Sequence, residues 1–154
     1  MDVKKEILSP DELAPLITEV LASGGTFPFY PGGNSMLPTI RPGKDAVVLA
    51  PPEDLRVGDI IFYRRDSGAF VLHRIVGKKA DGSFILRGDN QFCNEEGVLP
   101  SHILAVVAEY HKGNRVIRRG SGEDKRRFLY LRARYGARRV LSGIKRRLMG
   151  GKKK

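Results

Sequence analysis

The stretch AFVLHRIV, residues 69–76, decides the fold class of this chain. It is rich in β-branched and aromatic residues, which favour an extended strand over a helix. Six further segments of the same kind surround it, separated by loops of hairpin length: 26–30, 46–50, 59–63, 83–87, 103–110 and 115–118. This spacing predicts a mainly β domain over residues 26–119.

A short helix is predicted before this domain. Ser9 is the expected N-cap, Pro10 the first helical residue and Glu12 the partner that completes a capping box. An apolar stripe follows at helical spacing: Leu13, Leu16, Ile17, Val20 and Leu21. Gly24 ends the helix. The chain is therefore expected to have three parts: an N-terminal helix (1–25), the β domain (26–119) and a basic C-terminal tail (120–154).

The C-terminal tail carries the positive charge of the chain. Residues 125–154 hold 13 of the 28 Lys and Arg and no acid, so the rest of the chain has 15 basic residues against 17 acidic ones. Apolar residues at helical spacing fall on two opposite sides: Phe128, Leu131 and Tyr135 on one, Val140, Leu141, Ile144 and Leu148 on the other. Because Gly136 lies between the groups, the pattern predicts two short basic amphipathic helices with a kink or break at Gly136.

Such a tail has three interpretations. In the first, it lies on an anionic membrane surface, where each Lys or Arg contributes about 1 kcal/mol. In the second, it binds nucleic acid through its positive charge. In the third, it packs its apolar residues on the β domain and leaves its charges in water. Nucleic acid is the least favoured of the three.

Three short motifs inside the predicted β domain contain a Ser, a His and an Asp. They read GNSMLPT at 33–39, LHRIV at 72–76 and RGDN at 87–90. A serine hydroxyl becomes a good nucleophile only when a base accepts its proton and a further group orients that base. Ser35, His73 and Asp89 are the candidates for these three roles.

The surroundings of Ser35 and His73 suit these roles on physical grounds. Gly33 and Asn34 tolerate the left-handed backbone of a sharp turn, which exposes a serine hydroxyl and leaves main-chain N–H groups free for an oxyanion. The ordinary pKa of histidine, about 6.5, suits a base near neutral pH. We therefore expect activity to fall as the pH drops through the pKa of His73. A rate that stays level from about pH 5 to 8 would count against His73 as the base.

In their order and spacing, these motifs resemble the S24/S26 peptidase clan, and within it the signal peptidase I-like enzymes of the archaeal and endoplasmic-reticulum type. The resemblance includes the turns Gly43-Lys44-Asp45 and Gly58-Asp59 before two strands, and runs from about residue 26 to 110. It implies the β-fold shared by signal peptidases and the C-terminal domains of self-cleaving repressors. It also implies a serine endopeptidase that cleaves an extended leader or precursor segment after a small residue such as Ala.

The chain departs from the family's pattern at two positions. Reticulum-type members carry one or two acids beyond the Asp of the third motif, at positions that here hold Asn94 and Glu95. Either Asp89 or Glu95 could therefore orient His73, and Asp89 is preferred. Many relatives have a Ser where this chain has Gly33, which leaves main-chain N–H groups as the oxyanion donors. The residues expected to line the oxyanion and substrate site are Gly33, Asn34 and Met36.

Composition narrows the expected function. The single cysteine, Cys93, excludes an internal disulfide, and no Cys/His cluster indicates a metal, so neither metal nor cofactor is expected. The sequence has no apolar run of about 20 residues and no secretory signal. We expect a cytoplasmic enzyme with a peptide or protein substrate. Any contact with a membrane is expected to be peripheral, at the anionic inner face, and to be made by residues 125–154.

Two other functions stay open from the sequence. One is a non-catalytic peptide-binding module that keeps the fold, for which Gly33 and Asn94 leave room. The other is a regulator like the self-cleaving repressors. Those proteins use a Lys base and carry a DNA-binding helix-turn-helix, whereas this chain has His73 at the base position and one predicted helix before the β domain. The repressor interpretation is therefore the weaker of the two.

Overall fold

The computed structural model describes residues 10–150. Its elements in chain order are α1 (Pro10–Ala22), β1 (Phe27–Phe29), β2 (Val47–Ala50), β3 (Ile60–Arg64), β4 (Phe70–Lys78), β5 (Phe84–Arg87), β6 (Glu95–Val98), a 3-10 helix (Pro100–His102), β7 (Ile103–Lys112), β8 (Arg115–Arg118) and α2 (Gly122–Gly150). Each of the seven predicted strands is present, which confirms the mainly β prediction. Strand β6 is an addition to them.

The strands form one antiparallel sheet in the order β1-β2-β7-β3-β4-β5-β6, with β8 paired to β7. Long strand β7 lies between β2 and β3, so the end of the β domain returns to the middle of the sheet. Two pairings position the motifs. Ile61 of β3 lies opposite His73 of β4, and Arg74 of β4 lies opposite Arg87 of β5. The His and Asp motifs are therefore on adjacent strands.

Both faces of the sheet are covered, because the strands alternate apolar side chains between two clusters. Ile60 and Phe62 of β3 belong to the cluster that α1 covers. Ile61 and Tyr63 of the same strand belong to the second cluster, on the opposite face. The second cluster surrounds the part of the sheet that carries His73, so this histidine lies among buried apolar side chains.

Helix α1 packs against the first cluster through only part of its predicted stripe. Ile17 and Leu21 are buried, whereas Leu16 is exposed. The helix ends as expected at Gly24, whose φ of +79° requires a glycine and whose N–H donates to Leu21 O at 3.0 Å. The predicted N-cap, Ser9, lies outside the described residues.

Helix α2 is one continuous element, so the predicted break at Gly136 is wrong. Its N-terminal half packs on the β domain. The Phe128 ring lies against Gly58, Leu131 is 7% exposed, and the Tyr135 ring covers the guanidinium of Arg87 at 3.6 Å. This half follows the packing interpretation of the tail. The change of apolar side along the helix marks the point where the helix leaves the domain.

Candidate active site

Ser35 lies in a tight turn between β1 and β2. Gly33 has φ +78°, in the left-handed region that glycine adopts without strain, and it turns the chain just before the serine. The Leu37 N–H donates to Asn34 O at 3.3 Å and closes the turn. Met36, 4% exposed, packs into the first core cluster and anchors this segment. Ser35 itself stays partly exposed.

The turn offers unpaired main-chain donors. Among residues 10–150, the N–H groups of Asn34, Ser35 and Met36 donate no hydrogen bond, and Ser35 Oγ has no hydrogen-bond partner. Unpaired N–H groups beside a serine hydroxyl are what an oxyanion hole requires. Of the predicted oxyanion and substrate residues, Met36 has its side chain in the core, so its contribution is limited to the N–H group.

The loop after β5 is joined to the Ser35 turn through the backbone. The Asn90 N–H donates to Ser35 O at 2.8 Å, and Asn90 Nδ2 donates to Asn34 O at 3.2 Å. Gly88 approaches so closely that a Cβ there would lie 2.7 Å from Ser35 O. The structure therefore brings the motifs at 33–39 and 87–90 into direct contact.

Side chains of α2 hold the outer part of the same loop. The Phe92 ring stacks on Tyr135, with 6.3 Å between centroids and 6° between planes. The guanidinium of Arg138 lies over the Phe92 ring, 3.9 Å from its centroid. Stacked aromatic rings and cations over ring faces each stabilise by about 0.5–1.5 kcal/mol. Helix α2 thus supports the loop that contacts Ser35.

His73 is buried in β4 and its Nδ1 atom faces a chain of polar side chains. Tyr63 Oη lies 3.2 Å from His73 Nδ1 and donates to Glu95 Oε2 at 2.6 Å. Arg65 binds the Glu95 carboxylate with Nε and Nη2, at 2.8 Å for Nη2. Because the Tyr63 hydroxyl donates its hydrogen bond to Glu95, the Tyr63 oxygen is left to accept a hydrogen bond from His73 Nδ1–H. This tautomer leaves the lone pair on Nε2, where a general base needs it.

Burial and the Arg65 charge together lower the pKa of His73 to about 4. Desolvation is the larger cause, and Glu95 opposes it only in part. Burial by itself raises the pKa of Glu95, but hydrogen bonds from Arg65 and Tyr63 outweigh it and hold that pKa below its usual value. At neutral pH the site therefore contains a neutral imidazole and an ionised carboxylate.

Asp89 has a different position from the one preferred on sequence grounds. Both of its carboxylate oxygens accept hydrogen bonds from the buried Arg74, at 2.8 Å each, and the Thr39 hydroxyl donates to it as well. Glu95 is the carboxylate that the hydrogen bonds link to His73, with Oε2 3.8 Å from Nδ1, whereas Asp89 acts on the imidazole through its charge. These contacts favour Glu95, the alternative of the two, and the choice of the orienting carboxylate stays a prediction.

Ser35 and His73 are linked through the sheet by the backbone. Within the described part of the chain, no hydrogen bond joins Ser35 Oγ to the imidazole. The connection runs from His73 to Arg74, across to Arg87, and along the 87–90 loop to the Ser35 turn. Catalytic hydrogen bonds are often long in an unliganded enzyme and tighten when substrate binds.

Tyr63, Arg65 and Arg74 are the site residues that sequence reasoning missed. Tyr63 meets His73 only because of the β3–β4 register, which pairs Ile61 with His73. Arg74 directly follows His73 in its motif, but nothing in the motif says that its side chain is buried. Strand alternation does place Tyr63 on the same face as Ile61, and this is the one signal that could have pointed to it.

Comparisons with known proteins leave the class open: no family model, curated protein or solved structure matches the chain. Across residues 10–150, no three His, Cys, Asp or Glu side chains are grouped to hold a metal ion. Neither helix of the same region has the length and apolar character needed to cross a membrane.

Proposed function

We propose that the protein is a serine endopeptidase in which Ser35 is the nucleophile and His73 the general base, oriented by Glu95 through Tyr63. The observation that carries this proposal is the state of the two imidazole nitrogens. His73 Nδ1 is held by the Tyr63–Glu95 chain, whereas Nε2 has no hydrogen-bond partner among the described residues. Nε2 is therefore free of a competing hydrogen bond, which a general base requires.

The roles of the side chains follow from this geometry. His73 Nε2 accepts the Ser35 hydroxyl proton as Oγ attacks the scissile carbonyl carbon, and the resulting imidazolium is stabilised by the Glu95 charge. The main-chain N–H groups of Ser35 and Met36 are the donors for the oxyanion. The imidazolium then gives its proton to the leaving amine. Water, deprotonated by the same nitrogen, hydrolyses the acyl-enzyme and restores Ser35.

The substrate is an extended segment of a peptide or protein. Strand β1 lies at one edge of the sheet, and the chain runs from it into the Ser35 turn within a few residues. A peptide that pairs with β1 would extend the sheet towards the serine hydroxyl. The family resemblance adds a preference for a small residue such as Ala before the cleaved bond.

The test is covalent labelling by a fluorophosphonate probe, together with cleavage of an Ala-x-Ala peptide. We expect the unaltered protein to react, and Ser35→Ala and His73→Ala to lose both reactions. Ser101→Ala, which changes an exposed serine on the 3-10 helix, is the matched control and should react normally. Failure of the folded, unaltered protein to react, or equal labelling of Ser35→Ala, would overturn the proposal and favour a peptide-binding module. Circular dichroism establishes the folded state of each variant.

The pH dependence should differ from that of an ordinary histidine. Because the pKa of His73 is about 4, the labelling rate should stay level from about pH 8 to 5 and fall about tenfold per pH unit below 4. A level rate between pH 5 and 8 therefore agrees with His73 as the base, contrary to the expectation from sequence. Arg65→Gln removes a cation that lowers this pKa, so its midpoint should move up. A midpoint near 6.5 in the unaltered protein would contradict a buried base.

The lowered pKa of His73 also makes the folded state less stable at low pH, which limits the pH range in which the labelling rate can be measured. Histidine in the unfolded chain takes up its proton near pH 6.5, whereas His73 in the folded protein does so only near pH 4. The unfolded state therefore binds more protons between these values, so stability falls as the pH drops through this window. Unfolding curves at each pH should accompany the rates.

Gly88→Ala should slow the labelling of Ser35 without involving any side chain of the reaction. The new Cβ would lie 2.7 Å from Ser35 O and 2.9 Å from Gln91 Oε1, so the Ser35 turn and the loop must move apart. A displacement of about 1 Å at a reacting group can cost about 100-fold in rate. The same change at Gly136, which has no atom within 4 Å of the added Cβ, is the control. Equal labelling rates of the two variants would show that the turn does not depend on this contact.

A further inference from the structure

The C-terminal half of α2 extends beyond the β domain and exposes large apolar side chains. Val140 is 61% exposed, Leu141 65%, Ile144 50% and Leu148 75%. Burying a side chain of this size is worth about 1.5–3 kcal/mol, so leaving four of them in water forgoes a substantial stabilisation. An exposed apolar cluster of this kind marks an interaction surface.

These side chains form a stripe on the side of α2 that faces away from the domain. At about 100° per residue, the four residues fall within one sector of the helix, and Tyr130, Ala133 and Ala137 continue that sector towards the N-terminus. The side chains that contact the β domain, Asp124, Phe128, Leu131 and Tyr135, fall on the roughly opposite side. We call the outward set, residues 130–148, the outer stripe. At about 1.5 Å per residue it is nearly 30 Å long.

Positive charge borders the outer stripe on both sides. Lys125, Arg132 and Arg147 fall along one border, and Arg134, Arg138 and Lys145 along the other. Asp124 is the last acid of the described helix. The helix therefore combines an apolar surface with cationic borders, and beyond Asp124 its described residues include no acid.

This combination selects one occupant. A second copy of the helix would bring two cationic margins together, which is unfavourable. A nucleic acid would neutralise the charges but leave the apolar side chains in water. An anionic lipid surface meets both needs, because the apolar side chains enter the boundary with the acyl chains while Lys and Arg reach the headgroups.

We propose that α2 docks the protein lengthwise on an anionic lipid surface, with the outer stripe in the interface and the β domain on the aqueous side. This goes beyond the proposed peptidase activity and does not depend on it. The domain-facing side of the same helix holds Phe92, so the loop that contacts Ser35 would lie about one helix diameter, roughly 10 Å, from the lipid.

The test is sedimentation of the full chain with vesicles of phosphatidylcholine containing about one-third phosphatidylserine, and with vesicles of phosphatidylcholine alone. We expect binding to the anionic vesicles only. The double variant Leu141→Asn with Leu148→Asn should bind at least about tenfold more weakly, because it removes apolar area from the interface. Lys145→Gln should weaken binding by about fivefold. The matched control changes two exposed leucines elsewhere, Leu16→Asn with Leu99→Asn, and should bind normally.

Four outcomes would overturn the proposal. The first is recovery of the unaltered protein in the supernatant with anionic vesicles. The second is binding of the outer-stripe double variant as tight as that of the unaltered protein, which would reduce the contact to adsorption of charge. The third is tighter binding to duplex DNA or RNA than to the vesicles at the same salt concentration. The fourth is self-association in sedimentation equilibrium that the double variant abolishes, which would make the outer stripe a contact between copies. Thermal unfolding of each variant confirms that these exposed changes leave the fold intact.

Discussion

Replacing Arg74 by Met is expected to lower the free energy of unfolding by about 3–5 kcal/mol. Arg74 is fully buried, donates two hydrogen bonds of 2.8 Å to Asp89 and one of 2.7 Å to Gly58 O, and lies 3.7 Å from Asp124. Methionine has a similar length but no charge. The substitution would therefore leave the Asp89 carboxylate in the interior without its cation, and the cost of an uncompensated buried charge is high. Equilibrium unfolding in urea measures this difference.

Two further variants make the result specific to the buried pair. Lys79→Met breaks an exposed ion pair with Glu96 and should cost less than about 1 kcal/mol. Combining Arg74→Met with Asp89→Leu removes both charges, so the double variant should recover part of the loss seen in the single one. A cost for Arg74→Met no larger than that for Lys79→Met would show that the interior tolerates the lone carboxylate.

Glu95→Gln is expected to slow labelling and peptide cleavage by about 100-fold or more while the protein stays folded. The glutamine side chain can still accept a hydrogen bond from the Tyr63 hydroxyl, but it lacks the negative charge that stabilises the His73 imidazolium. The effect should appear in kcat more than in KM, because this interaction strengthens as the proton moves to Nε2. Steady-state kinetics on the Ala-x-Ala peptide separates the two parameters.

The neighbouring residue provides the control for this prediction. Glu96→Gln makes the same chemical change one residue later, where the carboxylate pairs with Lys79 on the surface, and it should leave the rate unchanged. If instead Asp89→Asn, in a folded protein, slowed the reaction more than Glu95→Gln, the orienting role would return to Asp89. Both variants should be compared at one pH above 6, where His73 is neutral in every case.

The strands that could be predicted from the sequence are those whose β-branched and apolar composition suits a buried position in the sheet. Segments such as 69–76 are rich in β-branched residues and lie inside the sheet. β6 reads Glu95, Glu96, Gly97, Val98 and contains no such pattern. It is an edge strand that pairs only with β5, so its side chains need not be apolar and its extended shape comes from the pairing. Composition therefore does not predict the strand that places Glu95 near His73.

The candidate site was predictable in its residue types and less so in its connections. The local contexts of the motifs, taken with their order, predict that Ser35 and the 87–90 motif act together, and the backbone contact from Asn90 joins the two segments. The choice between Asp89 and Glu95 depends on which carboxylate already forms an ion pair with another side chain. Asp89 forms one with Arg74. A motif cannot show this pairing, because the pairing depends on the burial of the arginine side chain.

The wrong prediction of a break at Gly136 has a physical explanation. Glycine costs about 1 kcal/mol in a helix, and the flanking Ala137 and Arg138 are strong helix formers, so the helix continues through it. The apolar side changes at this point because the N-terminal half of α2 packs on the domain and the rest does not. A change in the partner of a helix and a break in it leave the same mark on the sequence.

The position of Arg74 also bears on how the protein folds. Its partners come from three distant points of the chain, the Gly58 turn, the Asp89 loop and the start of α2. β7 likewise must return to pair with β2 and β3 before the sheet is complete. Contacts of such long sequence separation slow folding, because loop closure is unfavourable until they form. During synthesis, Arg74 and Asp89 can pair as soon as β5 has emerged, but they are sealed from water only when α2 arrives. The serine turn that rests on this loop should accordingly be among the last parts of the molecule to become rigid.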